Sequence, residues 1–490
     1  MSQNPDKTLL LLNKVSELDR KAGIPPITKE IKQNTKDLIE KWNNENDKII
    51  YEGEETVVCI GFDFGTSSTK VIVRTPYENN KSSAFPVPEE FQMDDHPHLW
   101  KTLVYFNEKN SEFSLFPQEG FKELTDIKTI LMDNQKNNLV SVISKKIKQN
   151  FTIKEVTTAY FALLFRIIKG WTVSEAFRPE NVLSSNSLLK SISKWFFNET
   201  QNDNMVQSIT NPMWTLNVGF PAKNLETKLK ETFDKIVKKA WALSFSNKKI
   251  TSENILGFKI NIEDKEKFSK DYKCSITVLP EVVAESIGFM KTDKADHSQY
   301  LMIDVGASTL DICFFDYNNL GKNNEDQYTI DKTNVVLLGA QIGSWSSELK
   351  EFNKTDLIDA INISIVKVVN ATKFAFPLTS NPRYKIWGTE KLPVILGGGG
   401  INSKLHKDAF EKLNKVLSIN LIPKGIEFKY FEKPKEVKTL INDKFYRLSV
   451  AWGLSFPDVE FTGYFLPKDQ THNRPKIKHF ADNFIGKDQV

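Results

Sequence analysis

The sequence contains few cysteines and no long apolar run. Its 490 residues include only Cys59, Cys274 and Cys313, which lie far apart, in or beside apolar strand-like stretches. We therefore expect reduced thiols in the core and a reducing compartment, not a disulfide framework. No stretch approaches the roughly 20 apolar residues that cross a bilayer, and charges follow the amino-terminal leucines too soon for a signal peptide. These absences predict a cytoplasmic protein without a membrane partner.

An excess of charge of one sign is also missing. The 66 Lys and Arg residues and the 62 Asp and Glu residues are interspersed and leave a formal net charge of +4. Composition therefore gives no indication of nucleic-acid binding. The six histidines lack the spacing of metal ligands, and His96 and His98 in "DDHPHLW" are typical of a turn. The length predicts about two to four compact units, not a single core.

Strand-like and helix-like segments alternate along the chain, which predicts an α/β fold. Residues 1–55 precede this alternation and predict a helical extension, with "TLLLLNKVSELDRKAG", a break at "IPP", and a helix "TKEIKQNTKDLIEKW" over residues 28–42. The aligned leucines of the extension are expected to dock either on the body of the protein or on a partner protein. Residues 174–205 are irregular and polar, which indicates an insertion.

One pattern occurs twice in the sequence. "VVCIGFDFGTSSTKVIV" at residues 57–73 and "YLMIDVGASTLDICFF" at residues 300–315 align without a gap, with Asp63 opposite Asp304. Each copy is an apolar strand ending in Asp–apolar–Gly, a turn of small and hydroxyl residues, and a second apolar strand. Agreement over this length favours an internal duplication. We expect two related lobes, with the two turns facing each other across a cleft.

The two turns have the composition of phosphate-binding loops. Glycines let a phosphate chain approach the backbone, and hydroxyl side chains and backbone N–H groups donate hydrogen bonds to it. Neither turn has the G-x-x-x-x-G-K-[ST] spacing of a Walker loop, and both lead into a strand, not a helix. One such turn alone is equally typical of an ordinary hairpin, whereas a matched pair favours a phosphate site. The candidate residues are Gly65, Thr66, Ser67, Ser68 and Lys70 in the first turn and Gly306, Ala307, Ser308 and Thr309 in the second.

An aspartate precedes each turn. A carboxylate beside phosphates is electrostatically unfavourable unless a cation lies between them. Mg²⁺ is typically held by one or two carboxylates together with phosphate oxygens and water. Asp63 and Asp304 are therefore the candidate magnesium ligands, one from each lobe.

A third glycine cluster follows the second turn, in "LPVILGGGGINSKLHKDAF". A buried strand is predicted before it and a helix after it. Gly397, Gly398 and Gly399 remove side chains where a base or a ribose must lie against the backbone. Together with the two turns, this cluster completes the prediction of a mononucleotide site.

In this order the motifs resemble those of the ATPase superfamily of actin, sugar kinases and DnaK-type heat-shock chaperones. "GFDFGTSSTKVIV" resembles the first phosphate motif, "MIDVGASTLDICFF" the second, "LPEVVAESIGFM" the first connecting motif, "VILGGGGINSKL" the adenosine motif and "YRLSVAWGLSF" the second connecting helix. Among these proteins the chain resembles the DnaK branch most. The resemblance implies a two-lobed actin-like ATPase fold, with duplicated ribonuclease-H-like units around a central nucleotide cleft that binds ATP or ADP with Mg²⁺.

The same resemblance implies roles for single residues. Lys128 in "LTDIKTIL" is expected to contact the phosphates, Glu281 to order magnesium-bound water, and Thr309 to lie beside the γ-phosphate. Gly339 in "LLGAQIG" is expected at the phosphate end of the second lobe. Hydrolysis then uses a positioned water, with Asp304, Lys128 and magnesium acting at the γ-phosphate.

The resemblance also divides the chain into regions. We expect a first lobe at residues 56–299, with a subdomain at about 76–150 and an insertion at about 174–205. A second lobe follows at residues 300–445, with a subdomain at about 339–388, and residues 446–490 form a connecting helix and a tail. Residues after the last motif are too few for the β-sandwich and helical lid of a full chaperone. The expected partners are therefore separate, unidentified proteins, with the amino-terminal extension as a candidate contact, and an oligomer is compatible with the motifs.

The chain departs from the family pattern at three places. Ala307 and Ser308 replace glycines of the second turn, which predicts slow hydrolysis. Glu285 stands in the first connecting motif where a small residue is usual. After the glycine run, the family pattern has an arginine that stacks on adenine. Ile401 and Asn402 stand there in this chain, so the resemblance does not imply which base is selected.

Three functions fit these motifs. The first is a DnaK-like ATPase that acts as a nucleotide-driven switch on partner proteins. The second is an actin-like filament former, such as a plasmid-segregation protein, although the segment at residues 339–388 is short for subunit contacts. The third is a small-molecule kinase, for which the sequence offers no convincing acceptor-binding base.

Overall fold

The protein has a mixed α/β fold, as predicted. The computed structural model describes residues 11, 14, 30–78, 80–132, 142–144, 149–177, 209, 211–221, 228–261, 264–292, 295–296, 298–319, 326–343, 352–375, 382–457 and 464–465. Most of the insertion predicted at residues 174–205 and the tail beyond residue 465 lie outside this part of the chain. No helix in the described ranges is both long enough and apolar enough to cross a membrane.

The described strands, β1 to β18 in chain order, are Glu55–Phe64, Ser68–Thr75, Lys81–Ala84, Trp100–Lys101, Val104–Asn107, Glu112–Ser114, Phe121–Leu124, Val142–Ser144, Gln149–Phe151, Asn211–Phe220, Cys274–Pro280, Gln299–Val305, Leu310–Asn319, Asp326–Val336, Leu392–Gly397, Ile426–Tyr430, Val437–Lys438 and Tyr464–Phe465. The described α-helices, α1 to α10, are Gln33–Asp47, Ile127–Met132, Ile153–Trp171, Lys228–Leu243, Ser252–Gly257, Lys265–Tyr272, Glu281–Met290, Lys354–Ala375, Lys404–Asn420 and Ser449–Leu454.

Two large sheets share one topology. In the first sheet the order is β11-β10-β1-β2-β3, where β1 is antiparallel to β2 and parallel to β10, β10 is parallel to β11, and β2 is antiparallel to β3. In the second sheet the order is β16-β15-β12-β13-β14, with the same directions at each corresponding pair. The pattern that occurs twice in the sequence is therefore the central hairpin of two sheets with the same five-strand arrangement.

Aromatic side chains form much of the core of the first sheet. The rings of Phe62 and Phe161 meet edge to face with centroids 5.2 Å apart, and Phe165 approaches Phe62 at 5.1 Å. These contacts join β1 to α3, a helix whose residues are almost all buried. Strand β1 is buried on both faces from Val58 to its end, as expected for a strand with a parallel neighbour and helices beside it. A separate cluster of mostly aliphatic side chains packs α8 and α9 on the second sheet.

Helices α7 and α10 lie between the two sheets. A third cluster of buried side chains contains residues of both helices and of both sheets, including Ile72, Met302 and Ile395. The helices cross at Gly453, where a Cβ atom would lie 1.7 Å from the carbonyl oxygen of Ala284. Glycine is therefore required at the closest approach of the two helices.

The amino-terminal extension packs on the protein itself where it is described. The predicted helix begins later and runs further than the sequence indicated, from Gln33 to Asp47 instead of over residues 28–42. Lys32 is extended because its backbone N–H is bound by the buried carboxylate of Glu90 at 3.1 Å. Helix α1 belongs to the core of the first sheet, whereas Leu11 is buried in the core of the second sheet.

A segment within the second predicted lobe crosses to the first sheet. Strand β17 pairs with β3, and the backbone N–H of Leu440 donates to His98 Nε2 at 2.9 Å. His98 also bonds the carbonyl oxygen of Phe85 through Nδ1. The predicted turn at His96 and His98 is present, and both rings are buried. The three cysteines are buried and form no disulfide, as expected.

Candidate functional site

The two repeated hairpins place charged residues at equivalent positions. In the first hairpin Asp63 lies opposite Lys70, and its Oδ2 atom lies 2.9 Å from Lys70 Nζ. In the second hairpin Asp304 lies opposite Asp311, which occupies the position of Lys70. The first acid therefore has its own cation within the hairpin, whereas the second acid faces another acid.

Each turn is held by neighbouring backbone. In the first turn, Thr102 donates from its hydroxyl to the carbonyl oxygen of Gly65 at 2.9 Å and from its N–H to that of Ser67 at 3.1 Å. Thr66 and Ser67 lie half-buried at the tip, whereas Ser68 begins the next strand and is 2% exposed. The first turn therefore presents Thr66 and Ser67, and not Ser68, toward its open side.

The second turn rests on the segment around Gly339. The N–H of Gly339 donates to the carbonyl oxygen of Ser308 at 3.0 Å, and the N–H of Gln341 donates to that of Ala307 at 2.9 Å. A Cβ atom at position 339 would lie 2.5 Å from the oxygen of Ala307. Gly306 closes the turn by donating to the carbonyl oxygen of Thr309. The glycine at 339 thus allows two loops of the second sheet to touch.

Lys128 and Glu281 form an ion pair beside these hairpins. Lys128 Nζ lies 2.7 Å from Glu281 Oε1, and both side chains are nearly buried. Burial lowers the pKa of Lys128, but Glu281 and Asp63 outweigh it and raise the pKa overall, so the ammonium group stays charged. Burial raises the pKa of Glu281 against the influence of Lys128. Residues 153 positions apart are brought together because α7 begins at Glu281 and the short helix α2 begins one residue before Lys128.

Five carboxyl groups gather around two lysines; we call Asp63, Glu281, Glu285, Asp304 and Asp311 the acid cluster. Burial raises the pKa of Asp304 to about 7; Lys70 opposes this shift, while Asp63 and Glu281 add to it. Burial, Asp304 and Glu281 raise the pKa of Asp311 to about 8, against a hydrogen bond from Thr309. The acid cluster therefore has more carboxyl groups than Lys70 and Lys128 can neutralise, and Glu285, Asp304 and Asp311 tend to hold protons near neutral pH. A further cation would favour their ionised forms and displace those protons.

Glu285 lies at the centre of the inter-sheet contact. Its side chain is fully buried, and its Oε1 accepts a hydrogen bond from Ser449 Oγ at 2.6 Å. Burial, followed by the charge of Asp304, raises the pKa of Glu285 well above its usual value. Within the described part of the chain, Glu285 Oε2 and Asp304 Oδ1 are buried without a hydrogen-bond partner. The unusual acid of the first connecting motif thus lies next to the second hairpin and is not on the surface.

The glycine run lies against the acid cluster. A Cβ atom at position 397 would lie 1.9 Å from Glu285 Oε1, and one at position 398 would lie 1.9 Å from Asp304 Oδ1. Gly398 also has a φ of +81°, which side chains other than glycine rarely adopt. Gly399 is exposed. The first two glycines are therefore needed for close packing on carboxylates, and the third lies at the open surface.

The structure brings together most of the residues that the sequence indicated. Both hairpins, Lys128, Glu281, Gly339 and the glycine run adjoin the acid cluster. Sequence reasoning missed Asp311, although it lies seven positions after Asp304, as Lys70 lies after Asp63. Ile401 points into the second core and is 4% exposed.

Magnesium is the cofactor to test against this geometry. No group of three or more His, Cys, Asp and Glu residues in the described ranges is arranged to hold a metal ion. A metal here would therefore take further ligands from phosphate and water, as Mg²⁺ does. The donor set fits such an ion: Asp304 offers a buried carboxylate oxygen without a partner, whereas Asp63 is already paired with Lys70. Of the two predicted ligands, Asp304 is the better placed.

No protein-family model matches this chain, and a comparison with curated proteins finds no match.

Proposed function

We propose that the chain is an actin-like ATPase, related to the DnaK branch, which binds Mg·ATP between two lobes of ribonuclease-H-like topology. One observation carries this proposal: the same hairpin lies at the same position of two sheets with the same five-strand order. The aspartates of the two hairpins, Asp63 and Asp304, lie close enough that the charge of Asp63 raises the pKa of Asp304. Two facing phosphate turns with an acid at the start of each are suited to a nucleotide triphosphate and its metal.

In this proposal the two hairpins hold the phosphate chain. Thr66 and Ser67 donate from the first turn, and the backbone N–H of Ala307 donates from the second, since that of Gly306 already bonds Thr309. Lys70 and Lys128 offset the negative charge, one from the first hairpin and one from the neighbouring helix. Magnesium bound with ATP supplies the remaining positive charge next to Asp304 and Asp63.

Hydrolysis requires a water held in line with the γ-phosphate. Glu281 is the residue best placed to orient it, because its carboxylate is fixed by Lys128 at 2.7 Å. Thr309 hydrogen-bonds Asp311 at the edge of the second turn, and in this proposal its hydroxyl lies beside the γ-phosphate. Ala307 and Ser308 narrow the second turn where family members have glycine, which is consistent with slow turnover.

Nucleotide binding in this site would act as a switch. Away from the hairpins, a buried contact between the sheets is formed where α7 and α10 cross at Gly453. Closing on Mg·ATP and loosening on ADP would rotate the lobes about this crossing and change the outer surfaces. The sequence predicts that unidentified partner proteins bind those surfaces and that the protein is cytoplasmic.

Mg·ATP turnover by purified protein tests the proposal. We expect slow, magnesium-dependent release of phosphate, reduced at least ~100-fold in Asp63→Ala and in Asp304→Ala. Asp296→Ala is the matched control, because its carboxylate is exposed and distant from the acid cluster. Near-normal turnover in both site variants contradicts the assignment.

The same preparation separates the two other functions that the motifs fit. Light scattering that rises with protein concentration in ATP indicates an actin-like filament, whereas scattering that stays flat in every nucleotide state excludes it. Turnover that accelerates with one member of a panel of sugars and polyols indicates a kinase. Turnover unaffected by the panel, together with flat scattering, supports the switch.

A further inference from the structure

Arg447 covers the open end of the glycine run. It ends the short 3₁₀ turn Phe445–Arg447, directly before α10. A Cβ atom at Gly399 would lie 3.0 Å from Arg447 Nε, 3.3 Å from Nη2 and 3.4 Å from Cζ. The guanidinium group therefore occupies the space that a side chain at position 399 would fill, and it does so from a different part of the sequence.

The backbone around Arg447 is tied to the same run. The N–H of Gly398 donates to the carbonyl oxygen of Tyr446 at 3.1 Å, and Asn402 Nδ2 donates to Tyr446 Oη at 2.6 Å. Asn402, Tyr446 and Arg447 thus form one polar surface over the glycine run. It carries a guanidinium, a phenol and an amide, groups that bind the rings and hydroxyls of a nucleoside.

The glycine run has no cation of its own at this place. Ile401, the next residue of the run's strand–loop–helix unit, is buried in the second core and faces away from the surface. A cation at the surface of the run comes either from the exposed Lys404 at the start of α9 or from elsewhere in the chain. Arg447 is the cation that lies against Gly399, and its side chain is 15% exposed.

Asp94 holds the guanidinium in place and moderates its charge. Arg447 Nη2 donates to Asp94 Oδ2 at 2.9 Å, and in the described part of the chain this is the hydrogen bond that the guanidinium makes. The remaining N–H groups are free for a ligand. A carboxylate this close to a phosphate would be unfavourable, and the phosphate end already has Lys70 and Lys128. The Asp94–Arg447 pair therefore suits a neutral, hydrogen-bonding ligand group better than a phosphate.

We propose that Arg447 binds the nucleoside end of the nucleotide, in a position fixed by Asp94. This inference rests on the proposed ATP site and adds the residue that recognises base or ribose there. The planar guanidinium can lie against a purine ring while its free N–H groups donate to ring nitrogens or ribose oxygens. The residue serves in place of a cation within the glycine run itself.

Comparing two ligands tests the inference. ATP has a nucleoside and inorganic tripolyphosphate does not, so calorimetric titration of both into wild type and Arg447→Ala separates the two ends of the site. We expect Arg447→Ala to weaken ATP binding by ~10-fold or more, and tripolyphosphate binding by less than about 2-fold. Arg447→Lys keeps the charge without the planar fork and should lie between wild type and Arg447→Ala. Lys424→Ala, which removes an exposed cation elsewhere in the second lobe, should change neither affinity.

Each other outcome counts against the inference. Unchanged ATP binding in a folded Arg447→Ala protein overturns it. An equal loss of ATP and tripolyphosphate also overturns it, because Arg447 would then contact the phosphates. A folded wild type that binds neither ligand overturns the proposed function and this inference together. If Arg447→Ala fails to fold, Arg447→Lys supplies the comparison, and equal affinity of wild type and Arg447→Lys for ATP then overturns the role.

Discussion

Glu285 and Gly397 face each other so closely that a Cβ atom on residue 397 would lie 1.9 Å from Glu285 Oε1. Gly397→Ala should therefore destabilise the protein by about 1–3 kcal/mol, because neither the buried strand nor α7 has room to move. Urea unfolding measures this. Gly388→Ala is the matched control, since a Cβ there meets nothing within 4 Å.

The same pair predicts a rescue. Glu285→Ala frees the space next to residue 397 and removes a buried carboxyl, and Ser449 keeps a second acceptor in the carbonyl oxygen of Tyr446. We expect the double variant to recover most of the stability that Gly397→Ala alone loses. A double variant that is less stable than Gly397→Ala would show that another contact excludes the side chain.

The Lys128–Glu281 pair should be strongly coupled. Removing Lys128 leaves a nearly buried acid within the acid cluster, and breaking such pairs costs about 3–5 kcal/mol. A double-mutant cycle with Lys128→Ala and Glu281→Ala should give a coupling energy of about 1–3 kcal/mol. The exposed pair Lys385 and Glu390, 3.2 Å apart, is the control and should give less than about 1 kcal/mol. Equal coupling in both pairs contradicts the buried arrangement.

The acid cluster should make stability fall as pH rises. In the unfolded chain these carboxyls ionise near pH 4, whereas the folded-state pKa of Asp304 is about 7 and that of Asp311 about 8. Between these values the acid cluster binds more protons in the folded protein than in the unfolded one, so its contribution to the free energy of unfolding decreases from about pH 4 to about pH 8. Burial lowers the pKa of His96 to about 3 and that of His98 to about 4, which opposes this decrease below about pH 6.5, so the net fall is expected above that pH.

Asp311→Asn should flatten this dependence, because it removes one of the acids. Relative to wild type, the variant should gain on the order of 1 kcal/mol or more between pH 5 and pH 8. Urea midpoints at both pH values measure the gain, with the exposed Asp296→Asn as a control that leaves the slope unchanged. An Asp311→Asn slope equal to that of wild type would mean that Asp311 ionises normally.

Helix α1 should depend on a single glycine of α3. A Cβ atom at Gly170 would lie 1.7 Å from the carbonyl oxygen of Trp42. Gly170→Ala should therefore lift α1 from α3 and speed backbone hydrogen exchange across Gln33–Asp47. Gly257→Ala, where a Cβ meets nothing within 4 Å, should leave this exchange unchanged. Full protection of α1 in Gly170→Ala would contradict the packing.

The sequence predicted the strands and helices of this fold better than the contacts between them. The two hairpins were predictable because apolar runs, a glycine and hydroxyls follow one another locally. Asp311 was missed because a single acid in an apolar strand carries no local signal, and its importance comes from pairing with Asp304 across the hairpin. The predicted start of α1 was wrong because Glu90, 58 residues away, binds the N–H of Lys32.

The candidate site shows the same division. Asp63, Asp304 and the glycines were predicted by type and spacing. Glu285 was recognised only as an unusual residue, since its contact with Gly397 joins residues far apart in the chain. The sequence does not indicate the contact of Arg447 with Gly399, because the two residues meet only after the chain has folded.

Binding of ATP to the wild-type protein and to Asp304→Ala, titrated with and without Mg²⁺, tests the central claim most directly. The account predicts one ATP per chain, tighter binding with Mg²⁺, and a loss of at least ~10-fold in Asp304→Ala that is largest when Mg²⁺ is present. ATP binding that is absent from the wild type, or is equal in both proteins whether or not Mg²⁺ is present, would contradict it.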